Sequence, residues 1–266
     1  MAASCVLLSA PTALGSPHPD AAGEPTRLRD AGVVMLLQEL GLEVRDLGDV
    51  AGLDPPWHAA PAGMRLRNVV LVLDHLRRLR GAVHAALVAH GPPLVLLGGD
   101  ALVHLGALAG MRDALGEDPG LVWLGPEPPF ATPDGETGGH IARMALSLAL
   151  GHGPAPLLGS VDAPVVAPGQ TAVVAARAGA PGVEGLALAG AALASGAADL
   201  AVPEGPLYVA VEGPVLAPGE LGVDATRQVL LGSAVREPVA VVAFSDLAPG
   251  LADAVPVAAL AAAALR

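Results

Sequence analysis

Residues 93–110 read PLVLLGGDALVHLGALAG. The near-continuous apolar run 93–99, closed by Gly98-Gly99, predicts a strand buried on both faces. The apolar spacing that follows predicts a helix over about 100–115. The same strand-then-helix unit recurs along the chain. Strands are predicted at 5–10 (CVLLSA), 42–47 (LEVRDL), 93–99, 120–125 (GLVWLG), 171–177 (TAVVAAR), 207–211 (LYVAV) and 238–244 (PVAVVAF). Helices are predicted at 24–40, 65–90, 100–115, 139–151, 186–199, 223–235 and 250–265. Alternating β and α elements imply right-handed crossovers and a mostly parallel sheet with helices on both faces. The expectation is a single three-layer α/β/α domain over 1–266, with no tandem repeat, linker or coiled coil.

In an open parallel sheet, ligands bind outside the carboxyl ends of the strands. Asp100 follows 93–99, Glu127 follows 120–125, Glu212 follows 207–211, and Asp246 follows 238–244. Four carboxylates are therefore expected to converge on one rim. The loop after the fourth predicted strand is unusual: Gly125-Pro126-Glu127-Pro128-Pro129 offers one carboxylate among residues without donor side chains.

Several segments resemble the arginase and ureohydrolase family. GEPTRLRDAGVVMLLQELGLEVRDLGDV (23–50) resembles the family's opening, and 93–110 resembles its Gly-Gly-Asp-His-Ser turn. GLVWLGPEPPFATPDGETGGHIARM (120–144) is similar to its Asp-Ala-His-x-Asp strand end with the loop beyond, and LYVAVEGPVLAPG (207–219) to its Asp-x-Asp strand. The resemblance implies an arginase-like fold. It also implies the family's two Mn²⁺ ions, bridged by a water that becomes the nucleophile. Carried over residue by residue, the ligand positions fall on Ala101, on Gly125, Glu127 and Pro129, and on Glu212 and Pro214. A proton-shuttling His falls on Ala142, a substrate-binding Asn on His140, and a late Glu on Asp246.

A hard dication wants about six oxygen or imidazole donors, and two such ions need several carboxylates between them. The expected reading is thus an arginase-fold pseudoenzyme with no metal cofactor and no catalytic residues. It would serve as a structural or regulatory subunit, self-associating to a trimer or hexamer as relatives do, or beside an active paralogue. Two other readings stay open. One is a diverged hydrolase of C–N bonds in guanidino or amidino compounds, with a single-metal site drawn from His104, Glu127, Glu136 and His140. The other is a binder of a cationic metabolite through Asp100, Glu127, His140, Glu212 and Asp246.

Composition removes other classes. The 266 residues carry a net charge of −12 with a pI near 4.9, so no basic surface awaits nucleic acid. The run Arg77-Arg78-Leu79-Arg80 reads as a solvated helix face, and His75, His84 and His90 as partly exposed structural residues on that same helix. The lone Cys5 permits no disulfide within the chain, fits a reducing cytoplasm and reads as a core residue. No apolar tract reaches the roughly 20 residues of a membrane span, and MAASCVLLSAP lacks a basic signal-peptide region. Hydrophobic residues make up 53% but aromatics only 2%, so Ala, Val and Leu must build the core. The absence of lysine beside abundant Ala, Gly, Pro and Arg reads as the codon bias of a GC-rich bacterium.

Overall fold

A computed structural model describes residues 3–50, 66–135, 138–247 and 253–265. Eight strands form one sheet: β1 (Ala3–Ala10), β2 (Leu42–Asp49), β3 (Leu94–Gly98), β4 (Gly120–Leu124), β5 (Thr171–Val174), β6 (Ala192–Ala194), β7 (Leu207–Glu212) and β8 (Val239–Ser245). Their order is β2-β1-β3-β8-β7-β4-β5-β6, and every pairing is parallel. All strands therefore deliver their carboxyl ends to one side of the sheet. The chain turns from one half of the sheet to the other between β3 and β4, which sit on opposite sides of β8 and β7.

Period-two alternation divides the strand residues between two cores. Val6, Leu8, Leu94, Leu96, Leu121, Trp123, Tyr208 and Ala210 face α3 (Val69–His90), α4 (Leu102–Leu115), α5 (Ala145–Ala149) and α6 (Ala155–Val161). Cys5, Leu7, Val95, Leu97, Val122, Leu124, Val209 and Val211 face the other way. There they meet α1 (Glu24–Asp30), α2 (Val33–Glu39), α8 (Gly222–Arg236) and α9 (Ala254–Ala264). The α/β/α expectation holds, with a sheet wholly rather than mostly parallel. Cys5 lies buried in the second core, as expected.

Several boundaries differ for local reasons. The helix expected over 24–40 is two, α1 and α2, because Gly32 takes φ 85°, which a right-handed helix cannot include. The helix expected over 186–199 is α7 (Val183–Ala189), stopped at Gly190 (φ 95°); the Ala-rich segment beyond it contributes β6 to the sheet. Over 139–151 a 3-10 turn, Ile141–Met144, precedes the short α5. The strand expected over 171–177 ends at Val174, since Ala175 turns left-handed at φ 64°. Helix α6, with Pro at its first turn, was not anticipated. His75 is buried rather than partly exposed, whereas His84 is half-buried and His90 exposed. Of the arginine run, Arg78 pairs with Asp74, while Arg80 reaches across to Asp113 and Asp162.

Candidate functional site at the strand ends

Asp100 is fully buried in the turn between β3 and α4. Its carboxyl accepts the Gly15 N–H at 2.8 Å and the Leu102 N–H at 3.1 Å, pinning the loop after β1 to the start of α4. Burial pushes its pKa up to about 7; Asp246 adds to this, and the backbone N–H donors oppose it. Asp246 sits at the end of β8 with φ 52°, and its N–H donates to the Gly99 carbonyl at 2.7 Å. Burial raises its pKa to about 6, against a lowering contribution from the Ser245 hydroxyl.

Glu24, at the start of α1, joins them. Its carboxyl accepts the Leu247 N–H at 2.7 Å, and its pKa is pushed up to about 8. Burial is the main cause; the Leu247 N–H opposes it, and the charges of Asp246 and Asp100 add to it. Glu212, buried at the end of β7, is held well above the usual carboxylate range by burial and then by Asp246. The Trp123 indole N–H faces it closely enough to favour the charged form, without completing a hydrogen bond of good geometry. So Asp100, Glu212 and Asp246 do come together, with Glu24 as a fourth member.

Glu127 stands at the edge of this group: its charge still acts on Glu212, but its carboxylate is exposed. It takes the Arg177 guanidinium at 2.7 Å. The same guanidinium reaches Glu220 at 2.6 Å, and the Arg177 N–H donates to the Pro126 carbonyl at 2.9 Å. A latch of Arg177, Glu127 and Glu220 therefore lies over the β4 loop. Pro126, Pro128 and Pro129 are buried beneath it. Ala101 is buried where α4 begins, and Pro214 is exposed in the turn after β7. At Gly125 a built Cβ would meet the Glu212 carboxylate, the movable end of that side chain. The Glu212 side chain thus fills the volume that a side chain at 125 would need.

His104 lies in the core. One ring nitrogen meets the Tyr208 hydroxyl at 3.1 Å and the other the Ser245 hydroxyl at 2.9 Å; the ring packs edge-on against Trp123, 4.7 Å between centroids. Burial pushes its pKa down to about 3, so the ring is neutral at ordinary pH. This corrects the grouping of His104 with Glu127 and His140: His104 bridges β7 and β8, while Glu127 turns outward. His140 is half-buried ahead of the turn Ile141–Met144, and Glu136 lies outside the described residues. Among the described residues, no group of three or more His, Cys, Asp or Glu is arranged to hold a metal ion.

Glu24, Arg177 and the His104–Tyr208–Ser245 bridge were not singled out from the sequence. The Glu24 contact spans 223 residues and the His104–Ser245 contact 141, so no local spacing announces either.

This sheet order, with buried acids at one rim, defines an α/β protein of the arginase type. The profile of the arginase family matches residues 3–153, and the chain belongs to that family. Arginase from Bacillus caldovelox is 31% identical over 148 residues, 55% of this chain and 48% of the relative. Arginase from Staphylococcus aureus is 28% identical over 174 residues, 64% of this chain and 56% of the relative. The matched stretch spans about half the length of these curated relatives. The solved structure of the Bacillus caldovelox arginase superposes with a TM-score of 0.84 at 21% identity, covering 100% of this chain and 98% of that one. Among the described residues, no helix is long and apolar enough to cross a membrane.

Proposed function

We propose that this chain is a non-catalytic member of the arginase family. In this reading the dinuclear manganese centre is lost, and the protein works as a structural or regulatory subunit of a homo- or hetero-oligomer. The observation that carries it is the donor set: Ala101, Gly125, Pro129 and Pro214 bring no ligand atom to the strand ends. In the present arrangement the Glu212 carboxylate sits where a side chain at 125 would begin. The Glu127 carboxylate is engaged by Arg177. Two hard dications need several carboxylates to offset their repulsion, and this donor set does not fit them.

A second reading, a diverged hydrolase of guanidino or amidino C–N bonds, draws support from the 31% identity to an arginase. A third, a binder of a cationic metabolite, draws on the acids Asp100, Glu212 and Asp246, with Glu127 and His140 at the rim.

The test joins two measurements on protein purified with manganese present. Elemental analysis is expected to find far less than one metal ion per chain, and arginine and agmatine are expected to release no urea. Stoichiometric metal or metal-dependent urea release would overturn the proposal in favour of the second reading. A thermal-shift response to guanidino compounds without turnover would favour the third.

A further inference from the structure

The two edges of the sheet are built differently. Strand β6 is three residues long, and short edges resist pairing with other chains. Strand β2 runs eight residues, Leu42–Asp49, and among the described residues is paired on one side only, to β1. It contains no proline, and its exposed charges Glu43, Arg45, Asp46 and Asp49 keep it from pairing with an arbitrary strand, so any partner must match their pattern. Most of its side chains are exposed, including Glu43, Arg45 and Leu47.

Glu43 and Arg45 share one face of β2, and among the described residues no helix covers them there. A groove of about 620 Å³ opens between that face and the C-terminal end of α3, lined by Ser4, Val6, Glu43, Arg45, Ala89 and His90. Among the described residues neither Glu43 nor Arg45 has an ion-pair partner, whereas Asp46 on the opposite face is taken by Arg29. The chain thus exposes an acid and a base, two residues apart, on an open strand edge.

We propose that this edge is a docking surface for a second copy of the same chain, the two β2 strands pairing antiparallel about a two-fold axis through Val44. The charge pattern selects that partner. In an antiparallel pair centred on Val44, Glu43 stands opposite the partner's Arg45, and Arg45 opposite the partner's Glu43. Directly opposed side chains lie on the same face with Cβ atoms about 4.5–5.5 Å apart, so both ion pairs form at once. An isologous interface requires this self-complementarity. Two eight-stranded sheets then become one continuous sheet of sixteen strands. On the face where α2 packs beside Val44, the exposed Met35 and Leu40 supply apolar surface near the axis. The inference deepens the homo-oligomer part of the functional reading, yet it uses no residue at the strand ends and holds for a catalytic or a non-catalytic chain.

Charge reversal tests it on the full-length protein by native mass spectrometry and sedimentation at micromolar concentration. Wild type is expected to be a dimer or an even-numbered multiple of one. Glu43→Arg sets four arginines around the axis and is expected to weaken dimerisation by at least about tenfold. The double variant Glu43→Arg/Arg45→Glu restores both pairs with signs exchanged and is expected to restore the dimer. Val44→Cys offers a readout independent of charge: across the axis the two Cα atoms lie within disulfide range, so mild oxidation is expected to cross-link the copies. A monomeric wild type, a dimer indifferent to Glu43→Arg, a double variant that stays dissociated, or a Val44→Cys protein that does not cross-link would each overturn the proposal. None of these outcomes bears on urea release or bound metal.

Discussion

The Glu24→Gln variant is expected to melt roughly 5 °C above wild type at pH 8.5 and at the same temperature as wild type at pH 5. Glu24 ionises near 4.5 when unfolded and at about 8 when folded. Between those values the folded state holds the proton that the unfolded state has released, so stability falls as pH rises. The contribution is complete below pH 4.5 and gone above about pH 8. The shift corresponds to roughly 2–3 kcal/mol once partial screening by solvent is discounted. Glutamine accepts the Leu247 N–H as the protonated acid does, but has no charge to bury. Asp100 and Asp246 act in the same direction, over windows ending near pH 7 and pH 6.

His75 and His104 oppose this on the acid side. Their pKa values fall from 6.5 to about 4 and about 3, so their contribution is present above pH 6.5 and lost as pH falls. Above pH 6.5 only the carboxyls change, and stability can only decline. The stability maximum is therefore expected below neutrality, around pH 5. A thermal-melt series from pH 4 to 9 measures it; a maximum at or above pH 8 would contradict the carboxyl cluster.

The second large effect is expected at His104. Replacement by leucine keeps the volume roughly filled while stranding the fully buried Tyr208 hydroxyl and leaving the buried Ser245 hydroxyl only its 3.4 Å contact to Asp246. The orphaned Tyr208 hydroxyl costs about 1–3 kcal/mol, and the lost Ser245 contact adds to it. Urea unfolding should show the midpoint fall with an unchanged slope. Tyr208→Phe leaves the Ser245 contact and the ring packing intact and should cost less. Equal losses in the two variants would mean that the Tyr208–His104 hydrogen bond alone holds the bridge.

The layering of this protein is legible in its sequence because buried parallel strands need no partner information to be recognised. Leu94–Leu97 and Leu121–Leu124 read as apolar runs whatever stands beside them. Strand β6 escaped notice because Ala192-Leu193-Ala194 sits in an alanine-rich segment that suits a helix equally well. At the rim, Asp100, Glu212 and Asp246 were reachable because each directly follows a strand. Glu127 was equally well placed by that rule, yet Arg177 draws it outward, a contact fixed by where β5 ends. Glu24 was out of reach, since its burial depends on the segment after β8 folding back over α1.

The crowding of rings around His104 makes this protein a natural optical instrument. The chain has only two tryptophans, and Trp57 lies outside the described residues. With Trp57→Phe in place, all indole emission would come from Trp123, buried beside an imidazole in a core of aliphatic side chains. A charged imidazole quenches indole light, and a neutral one does so far less. Emission from that single ring should hold steady across ordinary pH and dim only as the solution approaches pH 3, where His104 takes its proton.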